Sequence, residues 1–212
     1  MPMKQIARRL GVSPGSVHLW TRDIAITESY RSRNARLARE RFAVRWIEIN
    51  RERRLGYQAE GRARALAGDP LHQAGCMLYW AEGGKDRGLL NFANSDRAMV
   101  SFFWRFLRHN FVFDRARVRV RLNVYLNNGL SLEEIEDWWN EGLRLPRVCF
   151  GGHVTDHYPT SSSGKKRNKL PHGVCTLRLY DTRILQHIYG AIQEYAGFEE
   201  PRWLDGPPRG RR

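Results

Sequence analysis

Residues 75–83 read GCMLYWAEG, and this stretch carries the most specific signal in the chain. The stretch is small or apolar up to Glu82, and its apolar residues recur at helical spacing. Gly83 and Gly84 follow, and glycine tolerates the left-handed conformation that is common just past a helix C-terminus. Asp69 and Pro70 suit the first positions of a helix. The sequence therefore predicts a packed helix from Pro70 that ends in an acidic residue.

This stretch resembles the signature helix of LAGLIDADG homing endonucleases and their relatives, a packed helix that ends in an acid followed by glycine. In that family the acid binds the catalytic divalent metal. The resemblance therefore implies that Glu82 is a catalytic residue and a ligand of Mg²⁺. The family usually has aspartate at the position of Glu82 and small residues at those of Tyr79 and Trp80. A Glu82 that is merely solvated at the end of a core helix is the alternative.

The resemblance also implies an α+β fold. Residues 69–198 would form a DNA-binding domain of order αβαβαββα, whose mixed or antiparallel sheet is a saddle for the major groove. The LAGLIDADG scaffold also occurs in regulators that bind DNA without cutting it. Two functions follow: a site-specific double-stranded DNA-binding protein, or an active metal-dependent endonuclease of a mobile element or phage.

The charge of the chain points to a polyanionic partner. Its 212 residues carry a net charge of +14, and the isoelectric point is about 10.4. This balance favours DNA, RNA or an anionic membrane surface. No apolar run approaches the roughly 18 residues that span a bilayer, and no signal peptide opens the chain. Three scattered cysteines indicate a reducing compartment. We expect a cytoplasmic, nucleoid-associated protein of bacterial or phage origin.

Residues 1–27 have the pattern of a helix-turn-helix. Two short helical segments flank a turn at Gly11, and Ser13 and Pro14 suit the start of the second helix. Val17 and Trp20 would form its apolar face. The N-terminal part of such a recognition helix meets the bases, so five residues are expected to face DNA: Ser13, Gly15, Ser16, His18 and Arg22. An ordinary helical hairpin is the alternative.

Residues 28–68 predict one long basic helix that links two domains, either continuous or broken near Gly56 or Gly61. The segment is rich in Arg, Glu and Ala and contains no proline. It could lie along a phosphate backbone, or it could be a solvated spacer held by ion pairs.

The clearest alternation in the chain covers residues 116–126, which predicts a strand. Its apolar side begins at Val118, and the opposite side would carry arginines on the open face of the sheet. Residues 173–180 predict a second strand of this kind. The DNA-facing residues of the two strands would be Arg117, Arg119, Arg121, Asn123, Thr176 and Arg178. Arginine can read guanine bidentately, whereas a charged edge strand that blocks aggregation is the alternative.

The remaining elements follow from shorter signals. Residues 88–94 and 148–154 predict strands, Ser131 and Glu134 form a capping box, and a last helix covers residues 182–195. The linker before the final strand carries a basic loop that would grip phosphates, with Lys165, Lys166, Arg167 and Lys169. Lys169 or Lys165 would stabilise transition-state charge in an endonuclease. Residues 199–212 predict a disordered tail.

We also expect a homodimer. Small or apolar residues would form the contact between two signature helices: Ala74, Leu78 and Ala81. An RNA-binding or structural protein is a third hypothesis, but stacking aromatics on the basic face are limited to Tyr125 and Tyr180.

Overall fold

The computed structural model describes residues 3–24, 27–126, 129–156 and 170–205, and it shows an α+β fold. The chain divides into two compact units, Met1–Ile49 and Asn50–Arg212. In the described part of the chain, no helix is both long and apolar enough to cross a membrane.

The first unit contains α1 (Met3–Leu10), α2 (Pro14–Thr21) and the beginning of α3 (Glu28–Leu66). As predicted, a turn at Gly11 separates two short helices, and the Ser13 side chain accepts a hydrogen bond from the Ser16 amide at the start of α2. Ala7 and Val17 are buried between the two helices. Trp20 does not join them, since 63% of it is exposed. Two short helices bury too little area to cover it, so its assignment to the apolar face was wrong.

In the residues that the structure describes, the second unit adds eleven elements. They are α4 (Pro70–Glu82), β1 (Leu90–Asn94), α5 (Arg97–Asn110), β2 (Arg119–Val124), α6 (Leu132–Leu143), β3 (Val154–Thr155), β4 (Val174–Leu179), α7 (Thr182–Ala196), α8 (Pro201–Asp205) and two short 3-10 turns at 115–117 and 147–149. The predicted order αβαβαββα is confirmed. Asp69 accepts hydrogen bonds from the amides of Leu71 and His72, and the capping box of Ser131 and Glu134 opens α6.

The four strands form one mixed sheet in the order β1-β4-β2-β3. β4 pairs antiparallel with both β1 and β2, and β3 pairs parallel with β2. One face of the sheet is buried through alternating apolar residues: Leu90, Phe92, Val120, Leu122, Val124, Cys175, Leu177 and Leu179. The other face carries polar residues and is open. The helices that contact the sheet therefore pack on its apolar side.

α3 runs without a break from Glu28 to Leu66, and its second half belongs to the second unit. A β-carbon on Gly61 would overlap the carbonyl oxygen of His187, and one on Gly190 would overlap that of Gln58. The backbones of α3 and α7 thus approach closely. The Gln58 side chain donates to Gln186 over 2.7 Å, and both residues are buried. The prediction of a linker over 28–68 was therefore wrong from residue 50 onward, because glycine allows this packing.

A cluster of titratable side chains joins α4 to α7, in which His72 is buried and His187 and Tyr195 are half-buried. His72 Nδ1 lies 2.8 Å from the hydroxyl of Tyr195, and His72 Nε2 lies 3.0 Å from Nε2 of His187. Burial, with a smaller contribution from neighbouring cations such as Arg64, lowers the pKa of each histidine to about 4. Burial likewise raises the pKa of Tyr195 to about 12. Both imidazoles are therefore neutral at pH 7.

Two segments differ from their predictions, the strand expected over 148–154 and the tail expected over 199–212. Residues 148–154 do not form a strand, because residues 147–149 make a 3-10 turn and Gly152 has a φ of 64°. Val154–Thr155 pairs with β2, and Phe150 forms an isolated parallel bridge to Val120. Nδ1 of His153 accepts the Leu122 amide in place of a strand carbonyl. The tail predicted as disordered over 199–212 contains α8, whose Leu204 is only 7% exposed. Residues 206–212 lie outside the described part.

The three cysteines, Cys76, Cys149 and Cys175, are free thiols, and all are buried.

Candidate nucleic-acid interface

The open face of the sheet gathers polar side chains in adjoining rows. Strand register places Asn91, Arg178 and Arg119 side by side across β1, β4 and β2. The next row holds Ala93, Thr176 and Arg121, and the last holds Val174, Asn123 and Val154. As the alternation indicated, one face of the sheet holds five of the residues predicted to face DNA: Arg119, Arg121, Asn123, Thr176 and Arg178.

Arg119 and Arg178 are directly opposite each other on neighbouring strands. Like charges in this position repel. Arg119 Nη1 donates to the carbonyl of Val118 over 2.9 Å, and Arg178 Nη2 lies 3.5 Å from the Tyr180 hydroxyl. Arg121 is exposed. In the ranges that the structure describes, no carboxylate forms an ion pair with any of these three arginines. The face thus carries positive charge that an anion would neutralise.

Arg117 lies outside this row. It sits in the 3-10 turn before β2, where Nη2 donates to the carbonyl of Tyr180 over 2.7 Å. Nη1 lies 3.7 Å from the carboxylate of Asp181. The prediction that Arg117 extends the strand was wrong, because the strand begins at Arg119 and the guanidinium binds the junction of β4 and α7. The predicted contact of Arg117 with DNA stays a prediction.

A cavity of about 530 Å³ opens on this face. Arg121, Asn123, Thr176 and Arg178 line it, together with Asn91 and Val154. The segment that follows α4 forms one wall of the cavity through Gly84, Asp86 and Leu89. Amide and guanidinium groups converge there, which is the type of surface that forms hydrogen bonds with base edges or phosphates.

Two buried tyrosines hold this wall in place. Tyr79 donates its hydroxyl hydrogen to the carbonyl of Gly84 over 2.7 Å, and Tyr189 donates to that of Asp86 over 2.6 Å. The Gly84 amide donates to the carbonyl of Asn91 in β1 over 2.7 Å. The end of α4 is thereby fixed against the sheet.

Glu82 is the last residue of α4, and it is exposed. Gly83 follows in an extended conformation, with φ −79° and ψ 151°. The expected left-handed glycine was therefore wrong. Gly83 is needed for its size, since a β-carbon there would overlap the ring and carbonyl of Tyr79.

The residues at this helix end do not fit a Mg²⁺ site in the native chain. Lys85 Nζ donates to the carbonyl oxygens of Tyr79, Trp80 and Gly83 over 3.3, 2.8 and 2.6 Å. Asp86 Oδ1 instead accepts the amide of Arg87 in its own turn. The described ranges also contain no group of three or more His, Cys, Asp or Glu side chains that could hold a metal.

The helix-turn-helix residues are exposed to different degrees. Ser13 Oγ lies 2.9 Å from Ser16 Oγ, so the two hydroxyls bond each other at the start of α2. Gly15 and His18 are exposed. Arg22 forms a surface ion pair with Asp23 at 3.5 Å, and pairs of this kind contribute little. The segment can present these side chains to a groove.

The predicted basic loop lies outside the described residues, and with it Lys165, Lys166, Arg167 and Lys169.

Two residues of the site escaped sequence reasoning. Asn91 was readable from its alternation with Leu90 and Phe92 in β1. Lys85 follows a helix end, and a basic residue there often binds the last carbonyls. The position of Lys85 just after the helix could therefore have predicted its contact with the last carbonyls, but Glu82 was considered there only as a metal ligand.

No family model, curated protein or solved structure matches the chain. The resemblance of residues 75–83 therefore stays a prediction.

Proposed function

We propose that the chain binds double-stranded DNA through the open face of its sheet and recognises a specific site. The observation that carries this proposal is the facing pair Arg119 and Arg178 beside exposed Arg121, without ion-pairing carboxylates in the described chain. The net charge of +14 supports it, because basic surfaces of this kind attract phosphates.

The helix-turn-helix residues and the basic loop would add further contacts. We also infer a homodimer through α4, since Ala74 and Ala81 are exposed on it and Leu78 is half-buried. A two-fold symmetric target would follow. Gly75 does not contribute to such a contact, because its missing side chain makes room for Phe106 of α5. A cytoplasmic, nucleoid-associated location belongs to the same proposal.

Duplex binding at several salt concentrations tests the proposal. Log affinity should fall linearly with log salt, by about 0.9 for each phosphate contacted. A random duplex should bind more weakly than the selected site at every salt concentration. Affinity for duplex DNA that does not change with salt would contradict the proposal. Tighter binding of single-stranded or structured RNA would favour the third hypothesis instead.

Metal-dependent cleavage is the second candidate, and it would require Mg²⁺ to displace the Lys85 ammonium from the end of α4. One observation favours it: Glu82 is exposed at the end of α4, and the residues that follow line the cavity on the sheet. The deciding assay compares the native chain with Glu82→Gln on bound DNA in Mg²⁺ or Mn²⁺. Cutting by the native chain alone would establish an endonuclease. Equal binding without cutting by either would leave a DNA-binding protein.

A further inference from the structure

Lys85 closes the carboxyl end of α4 with its side chain. Its ammonium donates to three backbone carbonyls, those of Tyr79, Trp80 and Gly83. An ammonium has three N–H donors, so each donor has an acceptor. The Tyr79 carbonyl also accepts the Gly83 amide over 2.8 Å. The last carbonyls of a helix in general lack such backbone partners and carry partial negative charge. The side chain therefore satisfies both the hydrogen bonding and the charge of this helix end.

The same atoms are those that a hard divalent cation would use. Mg²⁺ and Ca²⁺ bind carbonyl and carboxylate oxygens, and this helix end offers the carbonyls of Trp80 and Gly83 next to Glu82. Glu82 is close enough to act electrostatically on Lys85. A divalent cation at these carbonyls would have to displace the ammonium or tolerate a like charge in contact with it.

Hydrogen bonds on both sides of Lys85 hold its backbone close to the end of α4. The residue before it, Gly84, accepts the Tyr79 hydroxyl, and the residue after it, Asp86, accepts the Tyr189 hydroxyl. Both tyrosines are fully buried. The Cα of Lys85 is thus held between two anchored neighbours, which keeps the ammonium within reach of the carbonyls.

We propose that Lys85 is a built-in cation that excludes divalent metal from the end of α4. In the native chain this end binds no Mg²⁺. Shortening Lys85 opens a cation site made of the Trp80 and Gly83 carbonyls and the Glu82 carboxylate. The proposal goes beyond DNA binding, because it concerns the free protein and its test contains no DNA.

The test is a titration of the metal-free, full-length protein with Tb³⁺, which takes oxygen ligands and is excited through a nearby tryptophan. Trp80 is partly exposed beside Lys85 and supplies the excitation. Lys85→Ala should bind Tb³⁺ at least about tenfold more tightly than the native chain. Adding Glu82→Gln to that variant should remove the gain, and Mg²⁺ should compete for the site.

Three variants serve as controls. Lys85→Arg keeps the positive charge and should show no gain. Lys4→Ala removes one positive charge from exposed α1 and should also show none, which separates a local effect from net charge. Lys85→Gln keeps N–H donors for the carbonyls while losing the charge, so it replaces Lys85→Ala if that variant does not fold.

Two results would overturn the proposal. One is saturable binding of Mg²⁺ or Tb³⁺ by the native chain that Glu82→Gln abolishes. The other is the absence of any gain in both Lys85→Ala and Lys85→Gln while circular dichroism shows a native fold. Neither result depends on whether the protein binds DNA.

Discussion

Arg121 differs from the other arginines near the sheet in what its guanidinium does. Arg117 is tied to the Tyr180 carbonyl and to Asp181, and Arg119 turns back to carbonyls of its own segment. Arg121 is exposed beside the cavity and has no such tie among the described residues. A guanidinium that is not held by the protein can be oriented by a ligand, so Arg121 is the best placed to read a base.

Arg121→Ala should weaken binding to the preferred duplex by about 1–3 kcal/mol and reduce its preference over a scrambled duplex. Arg117→Ala is the matched control. It should cost stability, about 1 kcal/mol for the lost hydrogen bond, and leave the preference unchanged. Fluorescence anisotropy on both duplexes and urea unfolding separate the two effects. An equal loss on both duplexes for Arg121→Ala would assign it to the phosphate backbone.

The pair formed by buried His72 and half-buried His187 makes stability depend on pH. His72 and His187 have a pKa of about 4 in the folded chain, against a usual value of 6.5. Between these pH values the unfolded chain binds more protons than the folded chain. The free energy of unfolding should therefore fall as the pH drops below 6.5 and stop falling on this account below about 4. The slope should be roughly 1.4 kcal/mol per pH unit for each histidine.

Urea unfolding between pH 4.5 and 7.5 measures this slope. His187→Gln removes one titrating group and should flatten the curve relative to the native chain. His109→Gln, at an exposed position of α5, is the matched control for the loss of an imidazole outside the pair. Parallel curves for the native chain and His187→Gln would contradict the assignment.

The close contact of α3 with α7 depends on Gly61 and Gly190. Gly56, also in α3, takes no part in it. Gly61 and Gly190 have backbone atoms of the other helix where a β-carbon would lie, whereas Gly56 has nothing within 4 Å. Gly56 and Gly61 lie on the same helix and differ only in what faces them. Close backbone approach, not flexibility, explains why α3 keeps Gly61.

Gly61→Ala should destabilise the second unit by about 1–3 kcal/mol or more, because the backbone of α7 must move to make room. Gly56→Ala should instead stabilise it by about 0.5–1 kcal/mol, as alanine is the better helix former. Chemical unfolding of both variants checks the difference in sign. Two stabilising substitutions would mean that α3 and α7 are not in close contact.

The elements that could be predicted have local causes. Asp69 with Pro70 and Ser131 with Glu134 mark helix starts because the cap uses neighbouring residues. The limits of β3 could not be predicted, because its pairing depends on a parallel partner and on His153. The packing of α3 after residue 50 and the order of α8 also depend on distant contacts, such as Arg54 Nε with the Leu204 carbonyl at 2.9 Å.

In the candidate site, too, the features with local causes could be predicted and those that depend on distant contacts could not. Alternation places Arg119 and Arg121 on the open face, because a strand gives each residue a fixed side. It does not give the limits of the strand, so Arg117 was assigned to the wrong surroundings. The role of Lys85 depends on a turn that the buried hydroxyls of Tyr79 and Tyr189 hold in place. No local pattern encodes that turn.

The two compact units predict two separate contacts with DNA. Unit Met1–Ile49 holds the helix-turn-helix, and unit Asn50–Arg212 holds the sheet. Deleting residues 1–27 should shorten the protected DNA at one end and leave the contact of the sheet. Hydroxyl-radical footprinting of the full chain and the deletion variant measures this. A footprint that does not change would show that α1 and α2 take no part in binding.

The three buried thiols give the second unit a chemical reporter of its own opening. Cys76 lies in α4, Cys149 precedes β3 and Cys175 lies in β4, and burial raises the pKa of each. A thiol reagent needs the thiolate and physical access, so modification of the folded chain must wait for the unit to open. The rate of labelling at each cysteine would then measure how often its helix, turn or strand leaves the core. A cysteine introduced on the surface would react first and could carry a dye without removal of the native three.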